Sequence, residues 1–264
     1  EKTFYKNRIG KKIEFDGFWS SSLTDSTLRG QPDIEVLDIK ERLKNINSIF
    51  DVTTKPMIVD IDTGGKNEHF QINIKTIDRN GISAVIMEDK KGLKKNSLFG
   101  LSVKQQQENP LLFKKKIELG KKNSSNNLMI IARIESLIAN KGMKDALTRA
   151  KAYINSGADG IVIHSKEKDG NEIIEFCNNY NSFEQKVPLF VIPTTFCHIT
   201  ESEFEKYGIS VVIYANHLLR AAYPSMVKSA ESILENQRAL ETSKENCMLV
   251  GDVINLIPEK NNGN

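Results

Sequence analysis

Asp60-Ile61-Asp62 closes an apolar run at residues 57–62 and leads into Thr63-Gly64-Gly65. Residues two apart on a strand share a face, so both carboxylates point the same way. Glu88 ends the next apolar run, at 84–88, with Asp89 directly after it. Three acids on adjacent strand ends repel one another unless a cation sits among them. Hard oxygen donors suit Mg²⁺, which keeps several waters and takes one or two carboxylates directly. Taken alone, Asp-x-Asp-Thr-Gly reads as solvated loop acids; Glu88 at the neighbouring strand end turns the reading toward metal.

Positive groups stand in comparable positions. Arg133 lies in MIIARIES, inside an otherwise apolar run, and a guanidinium keeps its proton when buried. Glu135 is its structural partner; a phosphoryl or carboxylate group would be its functional one. His164 ends GIVIH in the same way. A single histidine on an apolar strand is an ordinary core residue, but Arg133 and His164 on successive strand ends, opposite a metal site, favour an anionic substrate with phosphoryl and carboxylate groups. Between these sets runs MEDKKGLKKNSLFG, residues 87–100, with four lysines in six positions and then Asn96-Ser97.

Such groups need a scaffold that brings strand ends together. Strands are expected at 17–20, 57–62, 84–88, 129–135, 160–164, 189–194 and 210–215. Most are Val/Ile-rich and continuously apolar, the mark of parallel strands buried on both faces. Helices are expected at 34–50, 68–79, 109–120, 143–156, 170–183, 201–207, 217–237 and 247–257. Asn80-Gly81, Ser156-Gly157 and Tyr207-Gly208 supply helix stops. This alternation implies one parallel α/β domain over residues 1–257, with a disordered polar tail at 258–264. Useful side chains at nearly every strand end favour a closed (β/α)₈ barrel of the TIM type over an open sheet. Seven strands are counted where eight are needed, so the first is expected to precede residue 1.

The chain has 264 residues, 39% apolar and 27% charged, which is globular. A net charge of +3 is too small to argue for nucleic acid. No apolar run is long enough to span a membrane. Cys177, Cys197 and Cys247 form no CxxC pair, which fits a reducing cytoplasm.

FWSSSL with Asp33, VDIDTGG, MEDKKGLKKNS, IIARIES with ALTRAKAYINSGADGI, IVIHSK, FVIPT and YANHLLRA occur in this order from about residue 13 to 257. Jointly they resemble the phosphoenolpyruvate mutase branch of the isocitrate lyase/phosphoenolpyruvate mutase superfamily. The resemblance implies a (β/α)₈ barrel, a homotetramer or homodimer with its last helix exchanged between subunits, and a leading strand before Glu1. TFYKNRIGKKIE resembles an insertion. Asp60 resembles the direct Mg²⁺ ligand, and Asp33, Asp62 and Glu88 the acids that hold its waters. The amides of Ser22 and Leu23 would bind the enolate oxygen, with Trp19 and Ser21 shaping that pocket and Ser21 also reaching the phosphoryl group. Arg133, His164 and Asn96 would hold the phosphoryl group, and Lys94 and Ser97 lie on the same substrate-binding segment.

Two departures stand out. Ser22 replaces a common glycine and would crowd the pocket if the backbone needed φ > 0. Gly92-Leu93 stands where the family usually has a proline. The superfamily's lyases carry a cysteine in KxCGH here, which Lys94-Lys95-Asn96-Ser97 replaces. Glu88 through Ser97 match the mutase pattern EDKxxxKxNS, and related phosphonopyruvate hydrolases lack this asparagine. The implied reaction interconverts phosphoenolpyruvate and phosphonopyruvate, with 90–106 as a lid hinged at Gly92 and Gly100. A hydrolase giving pyruvate and phosphate, and a non-catalytic barrel, remain the alternatives.

Overall fold

The computed structural model describes residues 3–6, 9–92, 94–97, 106–125 and 127–257. The expected tail at 258–264, the Gly100 hinge and most of the proposed lid, 98–105, lie outside the described residues. A short antiparallel hairpin, β1 (Tyr5–Lys6) and β2 (Lys12–Ile13), comes first.

All seven expected strands form one parallel sheet in chain order: β3 (Phe18–Ser20), β4 (Met57–Asp60), β5 (Ala84–Glu88), β6 (Met129–Ile134), β7 (Gly160–Ile163), β8 (Leu189–Val191) and β9 (Val211–Val212). Several end earlier than the apolar runs do. At β4 the cause is visible: Asp62 takes a left-handed backbone, φ 54°, which turns the chain out of the ladder. The sheet is curled. Its edge strands are six spacings apart, about 29 Å if flat, yet Phe15 and Tyr214, next to those edges, meet edge-to-face with ring centroids 6.2 Å apart. This is the geometry of a partial TIM-type barrel.

Side-chain parity divides the core. Ala84, Ile86, Ile131, Val162, Phe190, Ile192 and Ile213 fill the inner face, with Trp19 and Ile58 packed against them. The alternate positions, such as Val59, Val85, Met87, Ala132 and Ile163, pack outward on the helices. Stepping two residues from the inner set reaches Ser21, Asp60, Glu88, Arg133 and His164, so the strand period alone gathers these at one mouth.

The helices of the first unit are α1 (Ser22–Thr27), α2 (Ile39–Phe50), α3 (Asn67–Arg79), α4 (Pro110–Asn123), α5 (Gly142–Ile154), α6 (Asn171–Tyr180) and α7 (Glu201–Lys206). The helix expected from 34 begins only at Ile39. Glu35 is left-handed at φ 62°, and Asp38 caps α2 by accepting from Lys40 N at 2.7 Å. α1 was not expected, because its six residues are too few to show a period.

The chain divides into two compact units, residues 1–215 and 216–264. The second contains α8 (His217–Asn236), α9 (Leu240–Glu245) and α10 (Val250–Asn255). Gln237, left-handed at φ 50°, ends α8. Among the described residues no helix is long and apolar enough to cross a membrane.

Candidate active site

The carboxylates meet around a lysine. Lys94 Nζ donates to Asp33 Oδ1 at 3.0 Å, to Asp62 Oδ1 and to Ser22 Oγ, and lies 3.9 Å from Asp60 Oδ2. Asp60 accepts from Ser22 Oγ at 2.8 Å and from the Asp62 amide at 3.0 Å. Asn96 Nδ2 donates to Asp33 Oδ2 at 3.0 Å, so Asn96 joins this acid side of the mouth. Ser22 is the first residue of α1 and is not left-handed, so its side chain meets no backbone conflict and instead bonds the acid cluster.

The charges respond to one another. Burial pushes Asp60 up, but Lys94, Arg133 and Arg42 outweigh it and hold the group at about 2. Asp62 goes the other way, to about 6, through burial and the Asp60 charge. Burial opposes the Lys94 charge, yet Asp60, Asp62, Glu88 and Asp33 together keep the ammonium protonated.

A second cluster faces this one. Arg133 Nε donates to Glu135 Oε1, and Nη2 donates to Ser97 Oγ at 3.0 Å. His164 Nδ1 lies 2.9 Å from Arg133 Nη2 and 3.1 Å from Glu135 Oε1. Burial and the Arg133 charge lower the His164 pKa, so the ring is neutral. Glu135 is held well below the usual carboxylate range: burial opposes this, but Arg133, Lys90 and His164 prevail. Lys90 reaches Ser97 Oγ and, at 3.4 Å, Glu135. Glu88 sits between the clusters. Lys90 Nζ and Arg133 Nη2 are each 3.6 Å from its Oε2, too long for a hydrogen bond, and both its buried oxygens lack a hydrogen-bond partner.

Ser21 is the N-cap of α1, accepting from Thr24 N at 3.5 Å. The amides of Ser22 and Leu23 open that helix, where no intrahelical acceptor exists for them. Trp19 packs on the inner core, its buried Nε1 without a partner.

The residues fit a hard divalent cation. The donors are all oxygens, Asp62 and Glu88 are both shifted up, and the Glu88 oxygens are unsatisfied. As arranged here, no three His, Cys, Asp or Glu side chains among the described residues form a metal-binding group. Lys94 takes the central place instead.

Sequence reasoning overlooked Arg42. This residue of α2 is 2% exposed and donates to Asp25 at 2.7 Å, to Ser20 O at 2.9 Å and to Asp60 O, tying β3 to β4. Its signal was a charge set between the buried Leu43 and Ile46 face and the helix start.

Comparison with known proteins fits this geometry. The family model for phosphoenolpyruvate phosphomutase matches residues 6–234. The chain belongs to that family. It is 33% identical over 232 residues to the phosphoenolpyruvate phosphomutase of Tetrahymena pyriformis, covering 87% of this chain and 76% of the relative. The crystal structure of phosphoenolpyruvate phosphomutase from Streptomyces platensis subsp. rosaceus is similar at TM-score 0.84 and 32% identity, covering 92% of this chain and 83% of that one. A phosphonopyruvate hydrolase in complex with oxalate and Mg²⁺ is similar at TM-score 0.81 and 30% identity, covering 92% and 82%. These relatives are enzymes, mutase and hydrolase at nearly equal distance, and the hydrolase structure shows that the fold accommodates a divalent metal in at least one relative.

Proposed function

We propose that this chain interconverts phosphoenolpyruvate and phosphonopyruvate, moving phosphorus between the enol oxygen and the methylene carbon of pyruvate. The observation that carries the reading is Asn96. The resemblance implies that mutases carry this asparagine and hydrolases do not, and here its side chain is anchored on Asp33 beside Lys94.

Phosphoryl transfer of this kind is largely dissociative, so the protein contributes position and charge rather than covalent bonds. Arg133 is permanently charged and donates to phosphoryl oxygens, with Glu135 fixing its plane. His164, being neutral, offers a hydrogen bond without adding charge. Asn96 holds the phosphoryl group from the opposite side while the enolate shifts beneath it. The amides of Ser22 and Leu23 face the enolate oxygen, and Trp19 and Ser21 wall that pocket. Mg²⁺, bound at Asp60 with Asp33, Asp62 and Glu88 around its waters, would supply further charge stabilisation to the enolate. Water must stay out, because a hydrolysed intermediate leaves as pyruvate and phosphate; burial of Lys94, Ser97 and His164 supports that.

The nearly equal likeness to a hydrolase keeps hydrolysis as the second reading. Phosphorus NMR of the protein with Mg²⁺ and phosphonopyruvate separates the two. A phosphoenolpyruvate resonance is expected; phosphate with equimolar pyruvate would transfer the assignment to the hydrolase. No turnover from folded protein would point to a non-catalytic barrel. A homo-oligomer belongs to the same proposal, supported by Leu218, Leu234, Val250 and Ile254, each more than half exposed in the second unit. Sedimentation showing a monomer at micromolar concentration would remove that part.

A further inference from the structure

Asp89 follows Glu88 but faces outward, away from the mouth and toward α5. It is completely buried, and every partner of its carboxylate is a donor. Oδ1 accepts from the Glu135 amide at 2.9 Å. Oδ2 accepts from Tyr153 Oη at 2.7 Å, Gln107 Nε2 at 2.9 Å and Arg149 Nη1 at 3.1 Å. The surroundings are closed by further bonds. Gln107 Nε2 also donates to Ser136 Oγ at 2.9 Å, Ser136 Oγ to Asp145 at 2.7 Å, and Arg149 Nε to Asp145 at 2.8 Å.

Two chain segments are tied at this carboxylate. One is the end of β6, where Glu135 receives Arg133, His164 and Ser97. The other is the root of residues 90–107. There Glu108 N donates to Asp89 O at 2.8 Å, Lys91 N donates to Gln106 O at 2.9 Å, and Arg149 Nη1 donates to Glu108 O at 2.9 Å. Stability alone does not explain a fully buried carboxylate with an arginine, since apolar replacements of such pairs are often neutral or stabilising. Holding two catalytic segments in one register does explain it.

We infer that Asp89 is a positioning residue for the phosphoryl side of the site: it fixes Glu135, and through it Arg133 and His164, relative to the segment that carries Lys94, Asn96 and Ser97. The inference rests on the proposed mutase reading for its substrate, though not for its geometry.

Asp89→Asn keeps the volume but turns an amide NH₂ toward a donor. With wild type as control, kcat for phosphonopyruvate is expected to fall at least tenfold. The share of turnover released as pyruvate and phosphate should rise, because the phosphoryl group is held less firmly. Affinity for oxalate in the presence of Mg²⁺, a probe of the pyruvyl side, should change less than twofold. A folded variant with kcat within twofold of wild type overturns the inference. So does an equal loss of kcat and oxalate affinity at unchanged product share, which would mark Asp89 as a general structural residue. If Asp89→Asn does not fold, Gln107→Leu removes a single donor at the segment root and is read by the same three quantities, with a kcat loss of at least threefold expected. A wild type that yields only pyruvate and phosphate defeats the mutase reading, while kcat and oxalate affinity still decide the role of Asp89.

Discussion

Asn96 and His164 hold their positions for opposite electrostatic reasons. Asn96 is neutral and sits against an acid, Asp33, whose other oxygen is bonded by Lys94. Under the proposed mechanism it would therefore bring a donor to the phosphoryl group without disturbing the charge balance of the acid cluster. Asn96→Ala should cut mutase turnover by about a hundredfold or more, the usual loss for one preorganised donor, while Mg²⁺ affinity, read by calorimetry, stays near wild type. Turnover within a few-fold of wild type would show that Asn96 has no such role. His164 is neutral because burial and Arg133 lower its pKa. An unfolded histidine titrates near about 6.5, so between its folded value and that pH the unfolded chain binds more protons. Stability from this group is complete above about 6.5 and is lost as pH falls, by up to about 1.4 kcal/mol per pH unit. His164→Asn should flatten the fall in urea midpoint between pH 7.5 and 5.5; a slope equal to that of wild type would mean the imidazole is not held neutral.

At the level of elements, the strands position the chemistry and were readable because a strand has period two and a plain Val/Ile signature. Gly160 shows how tightly they pack. A Cβ there would lie 2.7 Å from Phe190 Cε2 and 3.3 Å from Ile131 Cγ1, both inside the curled sheet. Gly160→Ala should lower stability by about 1–3 kcal/mol, the ordinary cost of overpacking a filled core, seen as a lower urea midpoint with an unchanged m-value. Asp60, Glu88, Arg133 and His164 were legible for the same reason: each interrupts or ends an apolar run. α1 and the late start of α2 were not, since both depend on local backbone events, the Ser21 cap and the left-handed Glu35, that leave no periodic trace. The roles of Arg42 and Asp89 were hidden too. Their partners come from other elements, 60 residues away for Arg149 and Asp89, and no spacing rule reports a contact of that range. The asparagine that favours mutase over hydrolase was readable only through resemblance, since nothing in its spacing states a reaction.

Across the whole molecule, apolar packing supplies stability and the mouth consumes part of it. Asp33, Asp60, Asp62 and Glu88 converge where a barrel buries its strand ends, and Lys94, Arg42, Lys90 and Arg133 offset part of their charge. Lys94 is the most exposed to test, because it alone among these cations bonds both Asp33 and Asp62. Lys94→Met keeps most of the stem while removing the charge, leaving buried carboxylates short of a partner. The expected cost without metal is about 3–5 kcal/mol, typical of breaking a buried ion pair from one side. Mg²⁺ binding to the folded state should return part of it, since a ligand at 100 times its Kd stabilises by about 2.7 kcal/mol. The rise in melting temperature on adding Mg²⁺ should therefore be larger for Lys94→Met than for wild type, where the ammonium would contend with the proposed metal for the same oxygens. Melting curves of both proteins with EDTA and with millimolar Mg²⁺ decide the matter. Equal stability in EDTA, or a smaller Mg²⁺ shift in the variant, would mean that Lys94 does not neutralise the acid cluster.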